Sequence, residues 1–598
     1  MKTQTTQHYD VVIIGGGLAG LSLARQLLLN SGKTILLLEK RAALPMALQK
    51  YGEATVQLSA YYFSKVLDLE EHLLREHFMK YNLRFYWTTE GKENSRFEEY
   101  CQSYIRNLSN IATYQLDRNK LEAELLRLNL ESPQFTFQPG VNGLEVALSN
   151  DGPHSVSYQV AGEPSSATAD WIVDTSGRGK FLAHKLGLTR QNPIRHGAHF
   201  FWVEGLVNID KLTDLSPKEI RLKKDRAAIG HLPFWLATNH FCGEGFWFWV
   251  IPLQGKTSLG LVYDNRLIDR ARIASLPQLI DWVCTEFPLF ARDLPFRKVL
   301  CHSALKDYSH DCGQTISAAR WAIAGEAGRF TDPLYSPGGD LISLYNTLIT
   351  DAILTDDAGE LTEKTRLYEQ LMKSFYEAYV PSFAVSYYAL GDQEAMTLKY
   401  TWELAIYFSF YVFPFINDLF TNRRFIVLFV NRFSRLGQVN RNLQQFITDF
   451  YHWKKEHCTR TRRPIFNDFT EIGALRVAES TFYRVGVTVD EAREVLDEQL
   501  ASLLGLARFV VAHVYSVVLG DSAVLTNRSF VESIDLDHFC FDETGIRERY
   551  AVHAENNEQY VWAFDPSVLA CFRTSPCTPQ LFIPQAESIA ALSGQGGH

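Results

Sequence analysis

Several features are scarce or missing in this 598-residue chain, and each absence removes a class of function. Positive charge is not in excess: 59 Lys and Arg stand against 68 Asp and Glu, for a net charge of −9. Phosphate backbones are bound by basic surfaces, so no nucleic-acid partner is expected. The nine cysteines are scattered, with no CxxC pair, which fits reduced, buried thiols in a cytosolic protein. The opening residues MKTQTTQHYD lack the basic-then-apolar order of a signal peptide, and a cytoplasmic location is expected. What is present is the composition of a folded protein, 46% hydrophobic and 21% charged. The length calls for two or three subdomains.

The strongest local pattern is N-terminal. The run YDVVIIGGGLAGLSLARQLLLNSGKTILLLEKR reads as an apolar strand, a glycine-rich turn, a helix and a second apolar strand ending in an acid. Gly15, Gly17 and Gly20 form GxGxxG directly after the strand Val11–Ile14. The first glycine permits the tight turn, the second lets a pyrophosphate approach the backbone, and the third lets helix and strand pack closely. Free N–H groups at the helix start face the phosphates. Glu39, nineteen residues past Gly20, stands where a carboxylate accepts ribose hydroxyls. Ala19 inside the turn and Lys40 after the acid complete this candidate set.

Two later segments distinguish the cofactor. ADWIVDTSGRG, residues 169–179, is a strand running into a glycine turn. RWAIAGEAGRFTDPLYSPGGDLISLYNTLITDAI, residues 320–353, is a strand, a Gly325-Glu326 turn, an Asp332-Pro333 step and a glycine-rich helix start. Together they resemble the split FAD-binding domain of the glutathione-reductase and hydroxybenzoate-hydroxylase type. The resemblance implies FAD, with Glu326 in place of the usual Asp at the ribityl chain. YQLDRNKLEAELL, residues 114–126, is similar to that family's signature and implies that Arg118 contacts the cofactor. No second GxGxxG follows a strand, and the terminal SGQGGH has neither strand nor helix beside it. Reduced FAD is therefore expected from a separate reductase.

Trp247-Phe248-Trp249-Val250-Ile251-Pro252 matches WxWxIP, the signature of the flavin-dependent halogenases, and YGEATVQLSAYYFSKVLDLEEHLLREHFMKYNLRFYW, residues 51–87, resembles that family's segment after the second strand. The resemblance spans roughly residues 8–355. It implies that reduced FAD, O2 and chloride or bromide produce hypohalous acid, that Lys80 is the catalytic lysine, and that Trp247 and Trp249 form an aromatic wall between flavin and substrate. As residues alone, the tryptophans read first as two core side chains on a strand, and Lys80 could be a side chain that reaches the surface. The family's halide lies against backbone N–H groups in the loop after Asp-Pro. Here that loop is Tyr335-Ser336-Pro337-Gly338-Gly339. Pro337 has no N–H, so Ser336, Gly338 and Gly339 are the halide candidates. Tyr335 replaces the glutamate with which tryptophan halogenases engage their substrate, which argues against free tryptophan.

Beyond residue 357 the chain turns helical, apolar and aromatic. YTWELAIYFSFYVFPFINDLF is too short and too polar in its flanks for a membrane span. A tunnel bordered by Trp402, Tyr407, Phe410 and Tyr411 and leading toward Lys80 is one expectation and packing of these aromatics in the helical domain's own core the other, with weak membrane or carrier-protein contact as the lesser reading. LASLLGLARFVVAHVYSVVLG, residues 500–520, reads as a core helix.

The fold class is α/β: a discontinuous FAD-binding Rossmann-type domain, a mixed β-sheet substrate domain and a helical C-terminal domain. The expected borders are 8–85, 111–190 and 301–356 for the FAD domain, 86–110 and 191–300 for the substrate domain, 357–587 for the helical domain, and a disordered tail at 588–598. The expected activity is halogenation of an electron-rich, hydrophobic aromatic small molecule of phenol, resorcinol, pyrrole or quinolone type. A flavin oxidoreductase without halide chemistry and a non-catalytic FAD-bound interaction protein are the alternatives.

Overall fold

The computed structural model describes residues 7–44, 48–222, 233–458 and 461–573. The apolar run Gln7–Ile14 is the centre of the first sheet, paired in parallel with Ile35–Leu38 on one side and Glu163–Asp174 on the other. Trp321–Ile323 and Phe135–Gln138 extend it in parallel outward. Parallel strands are covered on both faces, which is why these segments are almost unbroken Val, Ile and Leu. In register, Ile14 lies opposite both Leu38 and Asp174, and Asp174 opposite Ile323. The loops that begin at Gly15, Glu39, Thr175 and Ala324 therefore open on one edge. Ligands of such sheets bind outside the carboxyl ends of the strands.

The second sheet runs in the order Val299–Leu305, His196–Glu204, Lys256–Asp264, Phe246–Leu253, Thr238–Gly243, Leu83–Trp87, Cys101–Tyr104, Phe466–Asn467. It is antiparallel except where Thr238–Gly243 meets Leu83–Trp87 and where Phe466–Asn467 meets Cys101–Tyr104. Two expected borders shift as a result. Leu83–Trp87 is hydrogen-bonded into the second sheet, so the first FAD segment ends before residue 83 rather than at 85. Val299–Leu305 pairs along His196–Glu204, so the third FAD segment starts after residue 305 rather than at 301.

The helical part is built on Ala358–Ala384, Gln393–Ile406, Arg423–His457 and Val489–Leu519. Helix Gln393–Ile406 runs on into a π-helical segment, Tyr407–Val412. This region also supplies the edge strand Phe466–Asn467, so it is joined to the second sheet by backbone hydrogen bonds. Val489–Leu519 is long and apolar enough to cross a membrane, but 67% of its most apolar window is buried in the protein. His513 on that helix reaches Glu394 at 2.8 Å. The eight described cysteines are all free. The tail expected at 588–598 lies outside the described residues.

Candidate active site

The three glycines of the turn differ in what their missing side chains face. Gly15 has φ +111°, and a Cβ there would fall 2.6 Å from the Thr175 carbonyl oxygen. A Cβ on Gly20 would fall 2.2 Å from the Gly15 carbonyl oxygen. Gly17 differs, because its missing side chain faces open space, with no atom within 4 Å. That is the position at which a phosphate approaches backbone. The Glu39 carboxylate accepts from Gly16 N–H at 2.7 Å and from Arg41 N–H at 2.9 Å, and so holds the turn against the second strand. Lys40 is exposed, and nothing in the structure ties its side chain to the site.

From this turn a cleft runs between the sheets, lined by Leu18, Tyr51, Arg118, Glu326, Trp247 and Trp249 among others. Arg118 donates to Tyr51 O at 2.9 Å and to Glu122 at 2.6 Å, while its buried Nε has no partner. Glu326 accepts from the Tyr51 hydroxyl at 2.5 Å. Burial raises the Glu326 carboxyl above the usual range, against hydrogen bonding from Tyr51 and the charges of Arg118 and Arg178. A Cβ on Gly325 would sit 3.1 Å from Ala19 Cβ, so these two loops touch.

Trp247 and Trp249 lie two apart on one strand and therefore on one face, their rings 5.6 Å apart at 42°. Trp247 Nε1 donates to the Tyr387 hydroxyl at 2.6 Å and Trp249 Nε1 to Ser258 Oγ at 3.0 Å. Opposite Trp249 stands Gly260, where a Cβ would come within 2.3 Å of the indole. The glycine makes the room. In the same cleft is Glu53, of the Gly-Glu-Ala-Thr segment, a residue that the sequence pattern alone does not single out. Its carboxyl accepts from Trp202 Nε1 at 2.6 Å and from Ser258 Oγ, and burial raises it to about 7. It fixes the serine that fixes Trp249.

Lys80 is 4% exposed. Its backbone N–H donates to Thr113 O at 2.8 Å, and its ammonium donates to the Thr55 carbonyl. Burial lowers Lys80 to about 7, while the nearby Asp340 carboxylate acts in the opposite direction. Asp340 is raised to about 7 by burial, opposed by hydrogen bonds from Ser59 and Tyr407. Thr55 lines the cleft just described, whereas Asp340 lines a second cavity. Lys80 thus stands between the two.

The second cavity is walled by Tyr335, Tyr379, Tyr407, Tyr411, Phe383 and Leu436, with other residues of the helical region. Of the four aromatics expected along a tunnel, Tyr407 and Tyr411 line it. Trp402 instead donates Nε1 to Asn440 at 2.9 Å in the core, and Phe410 packs near Phe429 and Phe433 at 5.9 and 6.2 Å. Two other expectations need correction. Asp332 faces inward: it accepts from the Tyr308 and Tyr387 hydroxyls at 2.8 and 3.2 Å and from Leu334 N–H at 2.9 Å, with His196 Nδ1 at 2.6 Å. Its carboxylate holds the second sheet to the helical region and leaves none of its oxygens for a cofactor. Ser336, at φ +59°, donates its N–H to Pro333 O at 2.9 Å. Gly338 and Gly339, in the first turn of helix Pro337–Ile353 and beside the cleft, keep their N–H groups free of described partners.

The family profile described as "NAD(P)-binding Rossmann-like domain" matches residues 13–75. The flavin-dependent halogenase chlA of Dictyostelium discoideum is 26% identical over 457 residues, 70% of this chain and 74% of that one. The relatives the chain resembles over most of its length are flavin-dependent halogenases. Tetracycline 7-halogenase of Kitasatospora aureofaciens is 26% identical over 58% of this halogenase and 64% of its own length. The fold agrees with halogenase PltM in complex with phloroglucinol and FAD, at a TM-score of 0.57 and 17% identity over 84% of this chain and 98% of that one.

The halogenase is an FAD enzyme, and its residues fit that cofactor. The open cradle at Gly17, the unpartnered Arg118 Nε and the buried Glu326 acceptor lie around the cleft where phosphates, a ribityl chain and a ring need them.

Proposed function

We propose that this halogenase acts on an electron-rich, hydrophobic aromatic substrate held in the second cavity, with Lys80 directing hypohalous acid from the flavin cleft to a ring carbon. The observation that carries this reading is the position of Lys80, buried between a cleft that fits FAD and an apolar cavity lined by phenols. Bound reduced FAD, with O2, supplies the two-electron oxidation of halide to hypohalous acid. Gly17, Glu39, Arg118 and Glu326 would hold the cofactor. The N–H groups of Gly338 and Gly339 would hold the halide, since Pro337 has none and that of Ser336 is engaged. Trp247 and Trp249 keep the substrate from the flavin. The Lys80 ammonium donates a hydrogen bond to the acid's oxygen, which leaves as water while the halogen passes to carbon and the carbon loses its proton.

A phenol or resorcinol with an alkyl chain suits the cavity best, because its walls combine tyrosine rings with Phe383, Leu404, Phe433 and Leu436. One relative at 24% identity is a chlorinase of a pyrrole carried on a peptidyl-carrier protein, and a carrier-bound substrate is the second reading. Reduced FAD would come from a separate reductase, so NADPH alone should not reduce the bound flavin. The test is purified protein with reduced FAD, O2, bromide and 5-pentylresorcinol. Mass spectrometry should show the bromine isotope doublet, and its absence at every halide and phenol tried would refute the substrate class.

A further inference from the structure

The second cavity contains one buried acidic oxygen that accepts no hydrogen bond of good geometry among the described residues. Lys399 and Glu403 stand one turn apart on helix Gln393–Ile406 and form an ion pair whose side chains are 0% and 12% exposed. The two hydrogen bonds from Lys399 and Gln444 go to the same oxygen, and the Tyr335 hydroxyl of the cavity wall stands close enough to the carboxylate to feel its charge. Lys399 Nζ donates to Glu403 Oε1, and Gln444 Nε2 donates to Oε1 at 2.9 Å. Lys399 is held in turn by the Ser382 carbonyl at 3.1 Å. Glu403 Oε2 is buried with no hydrogen-bond partner, yet Glu403 lines the cavity. Buried acceptors are almost always satisfied, and an unsatisfied one is destabilising, so such an atom at a cavity wall calls for a donor from outside the chain.

The rest of the cavity narrows what that donor is. Near the Lys80 end stands Asp340, already hydrogen-bonded by Ser59 N–H at 2.9 Å. The remaining walls are largely apolar or phenolic, and the charged groups lining the cavity, Asp340 and Glu403, are both carboxylates. A carboxylate ligand would be repelled. A neutral ring bearing hydroxyl donors complements it.

We propose that Glu403 Oε2 is the substrate anchor of this halogenase, accepting a hydrogen bond from a ring hydroxyl of a hydroxyarene. The inference rests on the phenolic reading above and adds the residue that enforces it. The anchor does two things at once. It selects free hydroxyls over their ethers, because a methyl ether leaves the buried oxygen unpaired. It also pulls the O–H proton toward the carboxylate, which enriches the ring carbons ortho and para to the hydroxyl for attack by electrophilic halogen. Lys399 and Gln444 keep the carboxylate in place.

The test compares binding of 5-pentylresorcinol and its dimethyl ether to the FAD-loaded protein by calorimetry. Wild type should prefer the resorcinol by about ten- to a hundredfold, the range for a hydrogen bond to a charged group. Glu403→Gln should lose most of that preference while its affinities for FAD and for the ether stay unchanged. Because the single change strands the Lys399 ammonium, the double variant Lys399→Met, Glu403→Leu, which removes the pair together, should give the same result. Retained preference in whichever variant folds would overturn the anchor alone. Failure of wild type to bind or halogenate any resorcinol would overturn the substrate reading and the anchor with it.

Discussion

The two cavities, one with Thr55 and the other with Asp340 in its wall and Lys80 near both residues, are made of different materials. The flavin cleft mixes backbone and side chains: glycines 52, 325, 338 and 339 stand in its wall beside Tyr51, Arg118, Glu326, Trp247 and Trp249. The second cavity, proposed above for the substrate, has one glycine in its wall, Gly437, and is bounded mainly by side chains from helices, mostly tyrosine, phenylalanine and leucine. Backbone cradles suit a cofactor of fixed shape, whereas side-chain walls are easily changed from one substrate to another. The difference teaches that damage on the two sides should be separable, with Lys80 as the residue whose loss leaves both cavities intact but disconnected.

The sharpest break of that comparison is Lys80→Ala. Product should disappear while FAD affinity and O2 consumption remain at wild-type values, and hypobromous acid should be detectable by a diffusible trap. Next comes a change on the substrate side alone. Gly437 lines the second cavity, and a Cβ there meets only Arg441 Nη1, at 3.8 Å. Gly437→Leu should fill the path of an alkyl chain and reduce kcat/KM for 5-pentylresorcinol by about a hundredfold, given roughly 0.8 kcal/mol per buried CH2. Phloroglucinol, with no chain, should be far less affected. On the flavin side alone, Gly20→Ala should lower stability by about 1–3 kcal/mol through overpacking and weaken FAD binding, read by thermal denaturation and flavin fluorescence. The smallest effect is a pH shift. Lys80 loses its proton as pH rises through about 7, so the rate should fall along an alkaline limb near that value. Asp340 raises the lysine's affinity for that proton. Asp340→Asn should therefore move the limb to lower pH, by less than roughly one unit.

The same contrast decides what the sequence could reveal. Gly15, Gly17, Gly20 and Glu39 are legible because one continuous strand–turn–helix–strand unit fixes their geometry. WxWxIP and its strand are legible for the same reason. Glu53 was not, because its burial comes from Trp202 and Ser258, residues 149 and 205 positions away. Asp332 misled for the matching reason: it follows a flavin-type turn, but its partners His196 and Tyr387 come from the second sheet and the helical region. In the helical region an excess of aromatics is visible from composition, but not which ones face the cavity. The π-helical segment Tyr407–Val412 changes the angular spacing within the run. Tyr407 and Tyr411 face the cavity, while Phe410 packs into the core.

The central claim is that Lys80 joins a flavin cleft to a substrate cavity. A crystal structure of the FAD-loaded protein with 5-pentylresorcinol tests it most directly. The account predicts the ring beside Lys80, a hydroxyl on Glu403 Oε2 and the pentyl chain among Phe383, Phe433 and Leu436. A ring bound elsewhere, such as the charged cleft lined by Trp87, Glu244 and Lys454, with the phenol-lined cavity empty, would contradict it.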